Sequence, residues 1–394
     1  MTTAIPTVAG RQKIEILQLL RGVAALMVVV FHARTYVSEL SPNEPLRWVT
    51  DPFSTGIDLF FVISGFVMVY TTQSEQSRKP SDFFVKRLSR IVPAYIVATV
   101  LYVVSMRIME HLTGYRGLYD HFKPRDVLKS IAFIPINLSG PKESPFFGGA
   151  SLHVGWTLNY EVYFYLVFFG SLFFRRYRWA AFTCWMALIM VALPHFLGGG
   201  VSFDIGHFYG WRLPYFNLMT SCLIWEFIMG VVIGHIYLRD IRFPDAISAW
   251  LATIVAITFA LWAVYSGAAA KLGQLGYGAC YAILISILLA ADKAIGFRIP
   301  APLVWLGDVS FSLYLIHPTI IENIAIPLLG WPDLRPALTG FTYVLFLSAL
   351  SLCAAHLFHV SLERRLATAC RARMMDKLRT RPAQGRAAVT DTVL

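Results

Sequence analysis

Apolar runs of about twenty residues recur along the chain, parted by short polar stretches. They fall at about 15–36, 54–72, 91–111, 155–174, 179–197, 214–237, 246–266, 273–291, 301–320 and 338–360. A helix of that length crosses the roughly 30 Å hydrocarbon core of a bilayer. Lipid cannot satisfy open backbone groups, so helices are the expected spanning form. No long alternating pattern supports a barrel. The pattern therefore predicts an all-α polytopic membrane protein with about ten transmembrane helices. The first run is long, no small-residue cleavage site follows it, and further spans come after it. It reads as a retained span rather than a cleavable signal.

The polar stretches set the orientation. With the N-terminus in the cytoplasm, "RKPSDFFVKRLSR", "RRYR", "RDIR" and the basic C-terminal segment all fall on the inner side, which is the positive-inside pattern. The even span count then places both termini inside. The outer loop 112–154, between the third and fourth spans, is the exception. It is long, carries several basic residues, and holds an apolar piece near 127–138 too short to span, which reads as re-entrant or interfacial, or as a structured cap. The chain divides into a cytoplasmic segment 1–14, a transmembrane domain 15–360 and a basic cytoplasmic tail 361–394. No internal repeat is visible.

Composition agrees with the pattern. Of the 394 residues 57% are hydrophobic and only 14% charged, against about 25% in soluble domains. The mean hydropathy is +0.59. The net charge of +11 sits largely in the C-terminal stretch; beside a span it suits anionic lipid rather than nucleic acid. The five cysteines are scattered, mostly in apolar runs. Neither a metal site nor a disulfide framework is indicated.

Ionisable groups inside spans carry a desolvation penalty and normally face a bundle interior or a wet cavity. Arg21, His32, Asp58, Glu161, Glu226, Asp308 and His317 form such a set. Arg21 and His32 are eleven residues apart, about 20° past three full turns. They share one helix face about 16 Å apart along the axis. They cannot pair, but something extended could touch both; a snorkelling arginine and an interfacial histidine is the plain alternative. Asp58, near the outer end of the second span, is expected level with His32, where a carboxylate could fix a histidine tautomer. The fourth span begins "HVGWTLNYEVYFYLVFF" and carries Glu161 about 9 Å from its start. Trp156, Asn159 and Tyr160 precede it. Aromatics with a carboxylate suit a sugar, although aromatics alone also make an ordinary interfacial belt. His317 closes "LGDVSFSLYLIHP" at the outer side. On the inner side Arg87 and Arg90, three residues apart, share a face and can grip phosphate bidentately. The arrangement is polar at two levels: arginines below and a His/Asp/Glu group above. Acyl-coenzyme A, with a phosphate head and a long thin arm, has the shape to reach both.

The pieces "LRGVAALMVVVFHA", "GIDLFFVISGFVM", "FFVKRLSRIVPAY", "HVGWTLNYEVYFYLVF" and "LGDVSFSLYLIHP" occur together in this order. In them the chain resembles the membrane-bound acyltransferase-3 family over nearly all of 14–365, especially the stand-alone bacterial exopolysaccharide and O-antigen O-acetyltransferases. The resemblance implies ten core helices and acyl transfer from cytoplasmic acyl-coenzyme A to an extracytoplasmic or lipid-linked carbohydrate across the bacterial inner membrane. The family's first-span arginine-to-histidine motif falls on Arg21 and His32, its paired arginines on Arg87 and Arg90, and its fourth-span glutamate on Glu161. Some relatives append an SGNH hydrolase-like domain, where this chain carries a short basic tail. Asp308 receives no carried-over role.

The expectation is an O-acyltransferase using acetyl-coenzyme A and no metal. His32 is the general base, with Asp58 or Glu161 orienting it or holding the sugar. Arg21, Arg87 and Arg90 bind the donor phosphates, and Trp156, Asn159, Tyr160 and His317 bind the acceptor. Direct transfer and a histidine-acyl intermediate both remain open, as do acetyl, succinyl or another acyl group, the sugar and its hydroxyl, and the oligomeric state. The rival class is a transporter or flippase that moves a sugar without chemistry.

Overall fold

The structure, a computed structural model, describes residues 14–40, 44–74, 79–114, 123–136, 149–198, 200–204, 207, 209–211, 214–329 and 340–384. Among them every regular element is helical: α1 (Glu15–Leu40), α2 (Glu44–Thr50), α3 (Gly56–Thr71), α4 (Pro80–Thr113), α5 (Pro124–Ile131), α6 (Trp156–Leu172), α7 (Arg178–Ala187), α8 (Pro214–Met219), α9 (Leu223–Leu238), α10 (Ala246–Tyr265), α11 (Ala268–Lys271), α12 (Gln274–Ile295), α13 (Ala301–Leu329), α14 (Phe341–Phe358) and α15 (Arg364–Gln384). Among the described residues, eight helical stretches are long and apolar enough to cross a membrane. They contain α1, α3, α4, α7, α10, α12, α13 and α14. The apolar helices α6 and α9, of 17 and 16 residues, are shorter.

Helix α10 is apolar outside and small inside, as lipid dictates. On α10, Ile247, Leu251, Val255 and Trp262 point outward, while Ala249, Ala256, Ala260 and Ala263 are buried. Lipid tails are as apolar as leucine, so helices associate through close packing at small residues rather than by hiding large ones. The helix begins after Asp245, whose carboxylate accepts from the Ser248 amide at 2.8 Å and is held below the usual carboxylate range by that bond.

Two glycine-mediated contacts set the core geometry. A Cβ on Gly22 would meet Leu306 and Gly307, and one on Gly307 would strike the Gln18 carbonyl, so α1 and α13 touch backbone to backbone. Ten residues further along both helices, His32 meets His317 with ring centroids 5.0 Å apart. The two helices therefore run parallel and in step. In the second contact Gly65 of α3 lies on Phe227 and Val231 of α9, Gly230 lies on Val62, and Gly234 on Val69. This pair is parallel as well.

Two departures from the expected boundaries matter for the site. The apolar run ending near residue 320 continues as helix through Pro318 and Pro327 to Leu329. And α14 does not stop at 360. A π turn over His359–Glu363 joins it to α15, which packs along α4. In the long loop, α5 is fixed by Tyr95, whose hydroxyl lies 2.8 Å from Ser130 Oγ, while the Ser151 amide donates to the same oxygen at 3.0 Å. Leu128 and Ile134 there are exposed. The rest of the piece expected to be re-entrant, from 137 on, lies outside the described residues, as do 1–13 and 385–394.

Candidate functional site

Three guanidiniums converge at one end of the bundle. Arg21 of α1 and Arg87 and Arg90 of α4 line a cavity with about 900 Å³ of space, including its open mouth. Glu161, Tyr165 and Tyr314 line it too. Arg87 donates to Thr71 Oγ1 at 2.5 Å and stacks near two rings, its Cζ 5.4 Å from the Tyr165 centroid and 5.7 Å from that of Phe83. These contacts hold a planar fork in place, which an ammonium could not match. Tyr165 in turn donates to Glu161. Arg21 feels the charges of Arg90, Glu161 and Glu363. Glu363 is aimed inward by the π turn and held there, accepting from Ser312 Oγ at 2.5 Å and lying 2.8 Å from His359 Nδ1. Three cations against Glu161 in the lining, with Glu363 near Arg21, leave a net positive site suited to phosphate.

Three imidazoles converge at the other end. His32 lies 5.0 Å from His317 and 5.3 Å from His153, centroid to centroid. The tautomers follow from the backbone. His32 Nδ1 is 2.8 Å from the Val28 carbonyl, and His317 Nδ1 is 3.0 Å from that of Leu313. A carbonyl only accepts, so each Nδ1 carries the proton and each Nε2 presents a lone pair. Pro318 contributes as well. Lacking an N–H, it leaves the Tyr314 carbonyl without its donor in the helix ladder. His317 is fully buried, and its Nε2 has no partner among the described residues. His153 Nδ1 sits 3.3 Å from Glu322 Oε1, and the other oxygen of Glu322 accepts from Tyr102 at 2.6 Å. The end thus holds two ring nitrogens able to take a proton and one histidine paired with a carboxylate.

Most expected site residues divide between these two ends. Arg21, Arg87 and Arg90 come together. His32 and His317 come together. Glu161 goes with the arginines: it lies eight residues past His153, about 12 Å along α6. Asp58 is buried but deeper than expected. Gly56 packs on Ala24, Met27 and Val28, at least one turn before His32, and Asp58 follows it inward. Its charge acts on Cys222, Tyr277 and Tyr281 instead. Trp156, Asn159 and Tyr160 occupy the other face of α6 from Thr157, Glu161 and Tyr165. Tyr160 packs on Trp156 and Phe61, with centroids 5.8 and 5.7 Å away. Glu226 is buried in the space left by Gly278. Asp308, expected deep in a span, is exposed on α13.

His153, Glu322, Tyr102, Tyr314 and Glu363 are not among the residues the sequence singles out. His153 stood in plain view at the head of "HVGWTLNYE". Tyr314, three residues before His317, shares its helix face. Glu322 was hidden by Pro318, which reads as a helix end.

An acyltransferase domain model matches residues 14–360. The exopolysaccharide production protein ExoZ of Rhizobium meliloti is 31% identical over 69% of this chain and 78% of its own length. The acyltransferase MdmB of Streptomyces mycarofaciens is 25% identical over 77% of this chain and 78% of its own. The peptidoglycan O-acetyltransferase OatA of Listeria monocytogenes is 26% identical over 77% of this chain and 48% of its own. No solved structure matches the chain.

Proposed function

The chain belongs to the acyltransferase family matched over residues 14–360, and from that premise we propose that it carries an acyl group, most simply acetyl, from cytoplasmic acyl-coenzyme A to a hydroxyl of an extracytoplasmic or lipid-linked carbohydrate. One observation carries this reading: a single helix, α1, supplies Arg21 to the arginine end and His32 to the histidine end, so one extended donor can engage both. The names of ExoZ and OatA support a carbohydrate acceptor. The positive-inside pattern supports a cytoplasmic arginine end in a ten-span inner-membrane protein with both termini inside.

In this reading the phosphates of the donor sit on Arg21, Arg87 and Arg90. Glu161 and Glu363 hold the arginines apart and oriented. The thioester reaches the histidines. His32 Nε2 takes the proton of the acceptor hydroxyl as its oxygen bonds the thioester carbon. The C–S bond breaks, and the proton ends on the departing thiolate. His317, its ring 5.0 Å from that of His32, holds a second acceptor hydroxyl or relays the proton, while Glu322 and Tyr102 fix His153 at the acceptor.

The test is purified protein in liposomes, given acetyl-coenzyme A labelled in the acetyl group and the membrane glycans of the cells that make it. Label in the glycan supports the reading. Glycan crossing the bilayer unlabelled overturns it in favour of a flippase.

A further inference from the structure

The lining of the cavity beyond its arginines is mainly apolar, with Phe60, Phe61, Phe164 and Phe311 among its members. Two hydroxyls interrupt it. Thr157 and Tyr314 both line the cavity, and both are buried. Tyr314 lies three residues before His317 on α13, and Thr157 lies four residues past His153 at the head of α6. Each therefore stands about one helical turn from a histidine, on the side toward the arginine end.

Both hydroxyls meet one carbonyl. Tyr314 Oη donates to the Val154 carbonyl at 3.0 Å, Thr157 Oγ1 donates to the same oxygen at 3.0 Å, and the two hydroxyl oxygens lie 2.7 Å apart. A hydroxyl has one hydrogen and two lone pairs, and a carbonyl oxygen only accepts. Two hydrogens thus serve three contacts, and both are used up inside the triangle. Neither hydroxyl has a hydrogen left to give, while lone pairs remain on both oxygens. The pair is an acceptor. It suits an N–H and disfavours a carbonyl or ester oxygen.

We propose that the Thr157–Tyr314 hydroxyl pair accepts a hydrogen bond from the donor's amide N–H nearest the sulfur, and so fixes the thioester at the histidines. This rests on the acyl-coenzyme A reading above and adds the group by which the donor's arm is read. In that arm the amide nitrogen stands two carbons from the sulfur, a reach of about 4 Å at ordinary bond lengths. With the thioester at His32 and His317, the N–H comes level with the pair. An N–H held in an apolar lining without a partner carries a desolvation penalty. The pair removes that penalty at one height along the path, and this sets how far the arm is inserted.

The experiment compares acetyl-coenzyme A with its analogue in which an ester oxygen replaces that amide nitrogen. Both are labelled in the acetyl group and given to the same protein in liposomes with the same glycans. Phosphates and thioester are unchanged, so the arginines and histidines meet the same groups in both. The readout is the amide-to-ester ratio of kcat/KM within one preparation, which cancels any loss of folded protein. The unmodified chain should favour the amide by about tenfold or more, since a lost hydrogen bond leaves buried lone pairs against an ester oxygen. Thr157→Val and Tyr314→Phe each remove one hydroxyl and keep the shape. Each should lower the ratio by about threefold, and the two together should bring it close to one. Thr157→Ser keeps the hydroxyl and should leave the ratio unchanged. Variants that slow both donors by one common factor, with the ratio unchanged, make the pair a structural tie between α6 and α13 and overturn the proposal. A ratio close to one in the unmodified chain overturns it too and leaves the donor reading standing. If acetyl-coenzyme A labels no glycan, the donor reading fails and this proposal with it.

Discussion

His32 and His317 present Nε2 because a carbonyl one turn back claims each Nδ1 proton. That makes the basic nitrogen a product of helix geometry, with no carboxylate needed behind it. Replacing His32 by Ala should therefore lower kcat by about 10²–10⁴, the usual worth of a positioned general base. The measurement is label transfer at matched protein in membranes, and full activity would remove His32 from the chemistry. Arg87 is a different kind of residue, held by Thr71 and two aromatic faces. Arg87→Lys keeps the charge and loses the fork, so the donor KM should rise about tenfold with kcat little changed, consistent with a charged hydrogen bond worth roughly 1.5–3 kcal/mol. An unchanged KM would take Arg87 out of the donor site. Arg21 and His32 were legible from spacing alone, since a shared face follows from 3.6 residues per turn. Asp58 was legible as a buried acid and Glu161 as a half-buried one, but neither in its depth. Depth depends on where neighbouring helices cross, and a single chain of letters does not carry that.

At the scale of elements, the parallel pair α1 and α13 is the frame on which both ends hang. Its contact at Gly22 and Gly307 leaves no room for a side chain. Gly307→Val would push α13 off the Gln18 carbonyl and separate His32 from His317 ten residues away. Overpacking of this kind costs about 1–3 kcal/mol. Thermal unfolding in detergent should show a lower midpoint together with slowed transfer; an unchanged midpoint would mean that the helices part without penalty. The helices themselves were readable, because apolar length is a strong signal in a membrane protein. Their ends were not. Pro318 looks like a terminator and instead sits inside α13. The basic tail looked like an appendage after 360, yet a π turn carries it on as α15 against α4.

For the whole molecule, the division into an arginine end and a histidine end predicts a directional reaction if the proposed donor path holds. Sealed vesicles of the two opposite orientations give the check. Acyl-coenzyme A supplied on the side of Arg87 and Arg90 should label glycan held on the opposite side. Donor supplied on the histidine side should label nothing. Equal labelling from both sides would mean that the path is not vectorial. The two-level layout was readable from the sequence as a whole, since buried charges cluster where a path must be wet. The place of Tyr314 was not, because it is one aromatic among many until its hydroxyl is seen tied to the head of α6.

The parallel step of α1 and α13 also bears on how such a chain can change over time. Ten residues separate Gly22 from His32, and ten separate Gly307 from His317. A one-residue insertion inside either interval would swing its histidine by about 100° and carry it about 1.5 Å along the axis. Seven residues would nearly restore the angle and misplace the ring by about 10 Å. No small change in length keeps both angle and height. These two intervals should therefore admit substitutions but neither insertions nor deletions, while the loops joining the helices absorb both. A scan of single-residue insertions along the chain would read this out as two ten-residue windows of complete intolerance, matched in length and ending on the two histidines.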